Sequence, residues 1–325
     1  MEIIGTGREL PKRRVLSSDL DKLYKRDEGY FFSVTGVETR YFCEDESQID
    51  LATSASQKAL SDAGVLSGDV DLIISAAAVP YQPIPATAPA VQYALGVADG
   101  ECFSLDINCT CLGFAAALQF AESMCRTGKY QTILIVSSEV ASRALPWTTQ
   151  PQVAGLFGDG AAACVVRQSD SNDCFVADFA TYPSAYNSCS LAAGGTRFDF
   201  EEQFALFSAH SRFTMDGKEL FRLTAKHFAK FVQRLLKKAG TTHTGIDRVI
   251  AHQASPGALA HMTKLCGFEQ EQVINIASQF GNQIAASIPF TLDYVRELKL
   301  LERGDRVLML GTSAGVSFGG IVMDL

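Results

Sequence analysis

A single tryptophan, ten prolines and the lack of any apolar run near the ~20 residues of a membrane span are what this 325-residue chain shows by scarcity. No helical membrane span is therefore expected. The opening Met1-Glu2-Ile3-Ile4-Gly5-Thr6-Gly7 has no basic stretch followed by an apolar one, so a signal peptide is not expected either. Positive charge is in deficit. The 28 Lys and Arg against 36 Asp and Glu give a net charge of −8, which speaks against a broad nucleic-acid surface and leaves only local basic patches. The nine cysteines are odd in number and scattered, which speaks against a disulfide framework and for free thiols in a reducing cytoplasm. Metal-ligand spacing is also missing. Cys109 and Cys111 form a C-x-C pair, but no nearby His or Cys supplies two further ligands, so no metal is expected.

What is present is an ordinary globular composition, 47% apolar and 20% charged, in a chain long enough to build its core without staples. An internal echo organises it. Gln57-Lys58-Ala59-Leu60-Ser61-Asp62-Ala63-Gly64 is matched by Gln233-Arg234-Leu235-Leu236-Lys237-Lys238-Ala239-Gly240. Asp71 and Asp247 follow seven residues after the last Gly of each copy, and apolar strand-like runs, 72–77 and 248–252, follow them at a constant offset of 176 residues. Helix, terminal Gly, short loop and buried strand thus occur twice in one order, which predicts a duplicated α/β chain. The expected division is 1–170 and 171–325, with 168–174 as a polar surface link. Strands are predicted at 102–107, 132–136, 161–166, 273–276 and 306–310, and helices at 112–126 and 285–300. Residues 181–214 show no clear period and read as an irregular excursion over the mouth of a site.

Three short segments carry residue types that make chemistry together: Asn108 to Phe114 with Cys111, Ala251 to Ala254 with His252, and Phe280 to Pro289 with Asn282. Each sits at the end of an apolar, strand-like run. Cys111 follows a strand and begins a helix, where backbone N–H groups and the positive dipole end favour a thiolate. A buried structural cysteine is the alternative at that position. Cys109, two residues earlier, should point elsewhere. His252 stands where the first copy of the echo has Ala76, so a polar group replaces a methyl at a strand end. His210, His227, His243 and His261 fall in loops or on helix faces and read as solvated. Asn282 follows Gly281 in a turn, a position where Asn is common for conformational reasons alone.

Taken together, these segments resemble the thiolase superfamily and, within it, ketoacyl-acyl-carrier-protein synthase III and its biosynthetic relatives. The resemblance runs through most of the chain. It includes Thr35-Gly36-Val37, Asp106 to Phe114, Phe157-Gly158-Asp159-Gly160-Ala161, Met215 to Phe221, His252-Gln253-Ala254, Gly281-Asn282 with Ala285-Ala286-Ser287-Ile288-Pro289, and the Gly-rich end Gly311 to Gly320. The family's separation of 30 residues from His to Asn is kept. The resemblance implies a thiolase-like fold of two pseudo-symmetric halves, each a mixed sheet with helices, in α-β-α-β-α layers. It implies a catalytic triad of Cys111, His252 and Asn282, with backbone N–H groups of Cys111 and Gly315 as the oxyanion hole. Cys111 would accept the acyl group of a thioester; His252 and Asn282 would hold the carbonyl of a malonyl thioester as it loses CO2 and attacks. No cofactor is implied, since the substrates are acyl-coenzyme A or acyl carrier protein and malonyl carrier protein.

The resemblance further implies a homodimer, with Ile84 reaching into the partner's acyl pocket, and acyl carrier protein as a partner docking on Arg222 and Lys264. The chain also departs from the pattern. Tyr30 stands where the family commonly has Trp, and the arginines that grip the coenzyme A nucleotide correspond to Val34, Gln150-Pro151 and Gly257 here. Each guanidinium could contribute about 1.5–3 kcal/mol. Their absence favours a carrier-borne donor or a specialised pathway. Three rival readings stand beside condensation. A biosynthetic thiolase would need a second Cys in the turn that reads Gly311-Thr312-Ser313-Ala314-Gly315. An acyltransferase could use Cys111 and His252 to pass the acyl group to an alcohol or amine. A non-catalytic partner subunit should have lost part of the triad.

Overall fold

The computed structural model describes residues 1–169 and 174–325. The expected boundary between 170 and 171, and part of the expected 168–174 link, lie outside the described residues. On either side of them the chain builds two sheets from strands whose side chains alternate between two packed faces.

The first sheet contains β1 (Glu2–Glu9), β2 (Leu72–Ser75), β3 (Phe103–Asp106), β4 (Thr132–Glu139) and β5 (Gly160–Arg167), in the order β1-β5-β4-β2-β3. The second contains β6 (Phe175–Thr181), β7 (Arg248–Ala251), β8 (Arg306–Ser313) and β9 (Ser317–Asp324), in the order β7-β8-β9-β6. The internal strand β2 runs parallel to β4, as β7 does to β8, and the β4–β5 and β8–β9 pairs are antiparallel. The predicted strand at 273–276 is reduced to one parallel bridge, Val249 to Val273, at the position β3 occupies beside β2. The Gln253 side chain takes over part of that edge: it donates to Ala251 and Ile274 carbonyls and accepts from the Ile276 N–H. Side-chain bonding thus replaces ladder bonds and shortens the strand.

Helices α1 (Gln48–Ala63), α2 (Gly113–Arg126), α3 (Gly217–Lys238), α4 (Pro256–Cys266) and α5 (Ser287–Glu297) fill the layers. Leu72 and Ile74, Ile133 and Ile135, Val307 and Met309, and Ile321 and Met323 face inward onto α2 and α5. Ile73, Leu134 and Val136 face outward onto α1. Leu308, Leu310 and Val322 face outward onto α3 and α4. The result is five layers, α-β-α-β-α, with α2 and α5 buried between the sheets.

The echo holds at atomic detail. Gly64 and Gly240 both take φ +63, a left-handed conformation that favours glycine. Val65 N–H donates to Leu60 O at 3.0 Å and Thr241 N–H to Leu236 O at 3.1 Å. Single-turn 3-10 helices follow at Ser67–Asp69 and His243–Gly245. The Asp71 carboxylate accepts from the Gln131 and Thr132 N–H groups, and that of Asp247 accepts from the Arg306 N–H, so each aspartate ties its loop to the start of the neighbouring strand. Residues 181–214, read from sequence as irregular, contain a 3-10 segment Pro183–Ser188, a two-residue ribbon of Cys189–Ser190 with Thr214–Met215, and a short helix Phe204–Ala209.

Candidate active site

Helix α2 begins at Gly113, two residues later than Cys111, so the expectation that Cys111 itself opens the helix is corrected. The cysteine lies in a 3-10 turn, Thr110–Leu112, in front of it. Asn108 builds that turn: its side chain donates to Ala78 O and accepts from the Thr110 N–H at 2.9 Å, and Thr110 takes φ +47. Ser313 Oγ donates to Cys109 O at 2.8 Å and pins the turn to the β8–β9 hairpin. The same hairpin brings the Ala314 N–H onto the Cys111 sulfur. Gly315, the next residue, takes φ +121.

His252 leaves the end of β7. Its N–H donates to Leu310 O at 2.8 Å, as the Ala76 N–H does to Val136 O, so the pairing of His252 with Ala76 read from the sequence is a true equivalence. Its Nδ1 lies 2.7 Å from Ser287 Oγ at the start of α5. Asn282 follows the short helix Ala277–Phe280 rather than a strand, contrary to the expectation for all three segments. Gly281, at φ +69, lets the backbone pass 2.9 Å from Leu156 O at the point where a Cβ would sit. The Asn282 Oδ1 accepts from the Ile284 N–H at 2.8 Å, which turns its NH2 group away from its own backbone.

The three residues converge. A Cβ built on Gly311 would stand 2.9 Å from His252 Cβ and 3.1 Å from Leu112 Cδ2, so β8, His252 and the cysteine turn meet without room for a methyl. A Cβ on Gly113 would lie 3.5 Å from Ala285 Cβ, which puts the cysteine turn against the segment after Asn282. Ile284 joins the other two groups, because its N–H holds Asn282 while its carbonyl lies against the imidazole. His252 and Asn282 are buried, and the Cys111 sulfur is enclosed although its residue keeps some surface.

The electrostatics correct a second expectation. Burial pushes the Cys111 thiol up to about 12, helped by the Cys189 thiol and the Glu139 carboxyl; the N–H groups of Ala314 and Cys111 oppose the shift without overcoming it. Burial pulls His252 down to about 4, opposed by the Ile284 carbonyl. The resting pair is thus neutral thiol and neutral imidazole, and not the thiolate expected at a helix start. Desolvation outweighs a dipole that starts two residues downstream. Glu139, 1% exposed at the end of β4, is pushed up to about 8 by burial, although the N–H groups of Ala78, Ala285 and Val79 donate to it. Glu139, Ser287 and Ala314 join the site without having stood out in the sequence. An acidic residue closing β4, just after the apolar run Ile133–Val136, was a signal for the first; the other two carry none.

The remaining candidates are peripheral. Arg222 on α3 and Lys264 on α4 are exposed on helices joined by the Phe221–His261 ring contact at 4.7 Å. Ile84 is 87% exposed in the proline-rich segment. The helix Tyr30–Thr35 packs on Gly155 and, through Gly36, on Pro256, so the three positions lacking arginine share one rim. Arg26 stands over the Tyr30 ring there at 5.2 Å. The other histidines are not simply solvated: His210, His227, His243 and His261 contact the rings of Phe198, Tyr182, Phe268 and Phe221. Among the described residues no cluster of three His, Cys, Asp or Glu could hold a metal, and no helix is long and apolar enough to cross a membrane.

Comparison with known proteins gives the family. Residues 105–183 match the family model for 3-oxoacyl-[acyl-carrier-protein] synthase III, and residues 236–325 match the model for its C-terminal part. The chain is 30% identical to the beta-ketoacyl-[acyl-carrier-protein] synthase III of Clostridium acetobutylicum, over 99% of this chain and 98% of that one. It is 32% identical to the enzyme of the same name from Clostridium perfringens, over 100% and 99% of the two chains. The crystal structure of 3-oxoacyl-[acyl-carrier-protein] synthase III from Aquifex aeolicus superposes with a TM-score of 0.89 at 29% identity, covering 100% of this chain and 99% of the other. With fold, site geometry and full-length similarity in agreement, the chain belongs to the beta-ketoacyl-[acyl-carrier-protein] synthase III family, acyltransferases of the thiolase superfamily.

Proposed function

We propose that this chain condenses an acyl thioester with a malonyl thioester, releasing CO2 and a 3-oxoacyl thioester, and that Cys111, His252 and Asn282 perform the reaction. Cys111 yields its proton to His252 as its sulfur attacks the acyl carbonyl, and the N–H groups of Cys111 and Gly315 receive the developing oxyanion. A malonyl thioester on an acyl carrier protein then enters. His252 and the Asn282 NH2 group donate to its thioester oxygen, loss of CO2 leaves an enolate under those donors, and the enolate carbon displaces Cys111. Decarboxylation supplies the driving force, so no cofactor takes part. The observation that carries this reading is the meeting of three segments, distant in sequence, around Gly311 and Ile284.

Arg222 and Lys264 form the docking surface for the acidic carrier. The absence of arginine at Val34, Gln150-Pro151 and Gly257 favours a carrier-borne donor over coenzyme A and a specialised pathway over primary fatty acid synthesis. The working unit is a homodimer: β3 is an open sheet edge, and Phe103 on it, with Tyr93 and Ile84, is left exposed. Ile84 from each copy enters the partner's acyl pocket. The protein works in the cytoplasm, where nine unpaired thiols persist.

The test is intact-protein and peptide mass spectrometry with a panel of acyl-coenzyme A and acyl-carrier donors, followed by malonyl carrier protein. Acylation of the Cys111 peptide, then discharge with CO2 release, is expected. Discharge only by an added alcohol or amine would mean acyl transfer to a heteroatom, and no acylation by any donor would leave a binding subunit.

A further inference from the structure

We infer that Ser287 is a positioning residue for His252: its hydroxyl keeps Nδ1 protonated and Nε2 bare, so that the ring can take the Cys111 proton and hold it through the cycle. The inference deepens the proposed function and rests on it. Ser287 Oγ is 2.7 Å from His252 Nδ1 and 2.8 Å from Ile284 O, and it accepts from the Gln253 N–H at 3.3 Å. A serine hydroxyl has one hydrogen to give. The Ile284 carbonyl can only accept, and it also lies against the imidazole, where it favours the protonated ring. With the hydroxyl hydrogen on Ile284 O, Ser287 meets Nδ1 as an acceptor, and Nδ1 must carry the proton. Ser287 is 1% exposed, so water does not compete for these positions. The relay runs His252 Nδ1–H to Ser287 Oγ–H to Ile284 C=O and points the bare Nε2 at the cleft. The titratable groups around the pair are Cys111, Cys189, Glu139 and, beyond it, Asp159; burial and the Ile284 carbonyl are what move the imidazole itself.

The proton count closes. As the sulfur bonds to the acyl carbon, the Cys111 proton passes to Nε2, and the departing thiolate takes a proton from solvent. The ring is then an imidazolium, with Nδ1–H on Ser287 and Nε2–H free to donate to the malonyl carbonyl. When the enolate carbon bonds to the acyl carbon and the Cys111 sulfur is expelled, that sulfur recovers its proton from Nε2. One proton from solvent is consumed per turnover, as decarboxylation of a malonyl carboxylate requires.

Ser287→Ala and Ser287→Thr, made in the full-length protein, test this by two readouts. The first is the rate of alkylation of the Cys111 peptide by iodoacetamide, followed by mass spectrometry from pH 6 to 9, alongside its acylation. In the parent protein a built-in base makes alkylation nearly independent of pH. In Ser287→Ala both rates should fall about 10- to 100-fold at neutral pH, the loss of one hydrogen bond to a group becoming charged, and alkylation should climb with pH as free thiolate takes over. Ser287→Thr, which keeps the hydroxyl, should restore the flat profile. The second readout is the 15N spectrum of labelled histidine, which should show His252 protonated at Nδ1 alone in the parent protein. An Nε2-protonated His252, or a Ser287→Ala protein with parental rate and flat profile, overturns the relay. A parent protein that alkylates at Cys111 but accepts no acyl donor overturns the proposed function instead.

Discussion

Gly311→Ala inserts one methyl between the histidine and the cysteine turn, and its effect can be worked from the contacts. The new Cβ would lie 2.9 Å from His252 Cβ and 3.1 Å from Leu112 Cδ2. The first neighbour is fixed to the β7 backbone and cannot swing away, so strand ends must separate by several tenths of an ångström. Overpacking of this kind costs about 1–3 kcal/mol. For a chain of this length that is a fall in Tm of roughly 1.5 °C per kcal/mol, or under about 5 °C. The chemical cost is separate: about 100-fold per ~1 Å of misplacement makes a shift of several tenths of an ångström worth roughly 10-fold in the proposed thiol-to-imidazole proton transfer. Gly320→Ala is the control. Its Cβ would stand 2.7 Å from Leu235 Cδ2 and 3.1 Å from Leu310 Cδ1, on the outer face of the same hairpin and away from the site. Differential scanning calorimetry should give the two variants similar Tm losses. Mass-spectrometric acylation of Cys111 should be slowed about 10-fold in Gly311→Ala and less than about threefold in Gly320→Ala. Equal acylation rates at matched Tm loss would refute the claim that Gly311 sets the spacing of thiol and imidazole.

Three further outcomes are expected. Asn282→Ala should still acquire an acyl group on Cys111 yet release at least 100-fold less CO2 from malonyl carrier protein; normal CO2 release would strip Asn282 of its role. Glu139, at about 8 instead of an ordinary 4.5, gives the folded chain more bound protons than the unfolded one between those values, so its contribution makes folding less favourable as pH rises through that window. Glu139→Gln should therefore flatten Tm against pH from about 5 to 8, and an unchanged slope would clear the carboxylate of that effect. Phe103→Lys, at a ring 56% exposed on the open edge β3, should yield monomers by light scattering, whereas persistent dimers would place the interface elsewhere.

Much of this was legible in the chain because the fold repeats itself. The Gly64 and Gly240 helix ends, the strands after Asp71 and Asp247, and the pairing of Ala76 with His252 all follow from one constant offset. The cysteine, histidine and asparagine were legible as residue types at strand and turn positions. Their protonation was not, because it depends on burial contributed by both halves at once: Cys111 feels Glu139 from β4 and Ala314 from the β8–β9 hairpin. Val273–Ile276 misled for a similar reason, since an apolar β-branched run does not reveal that the Gln253 side chain will occupy the bonds of its edge. Ser287 looked like one more small residue in a helix start, and only the fold brings it to within 2.7 Å of a histidine 35 positions earlier.

The paired aspartates have a consequence for how such a protein can change over generations. Asp71 and Asp247 each lock a strand from inside their own copy, so that part of each copy's alignment is set locally. Boundary positions without such a close approach as Gly311 makes can therefore vary while the strands keep their alignment. One strand end carries a methyl and the other an imidazole on the same backbone bond, so selection can rewrite reactivity there while the frame stays put.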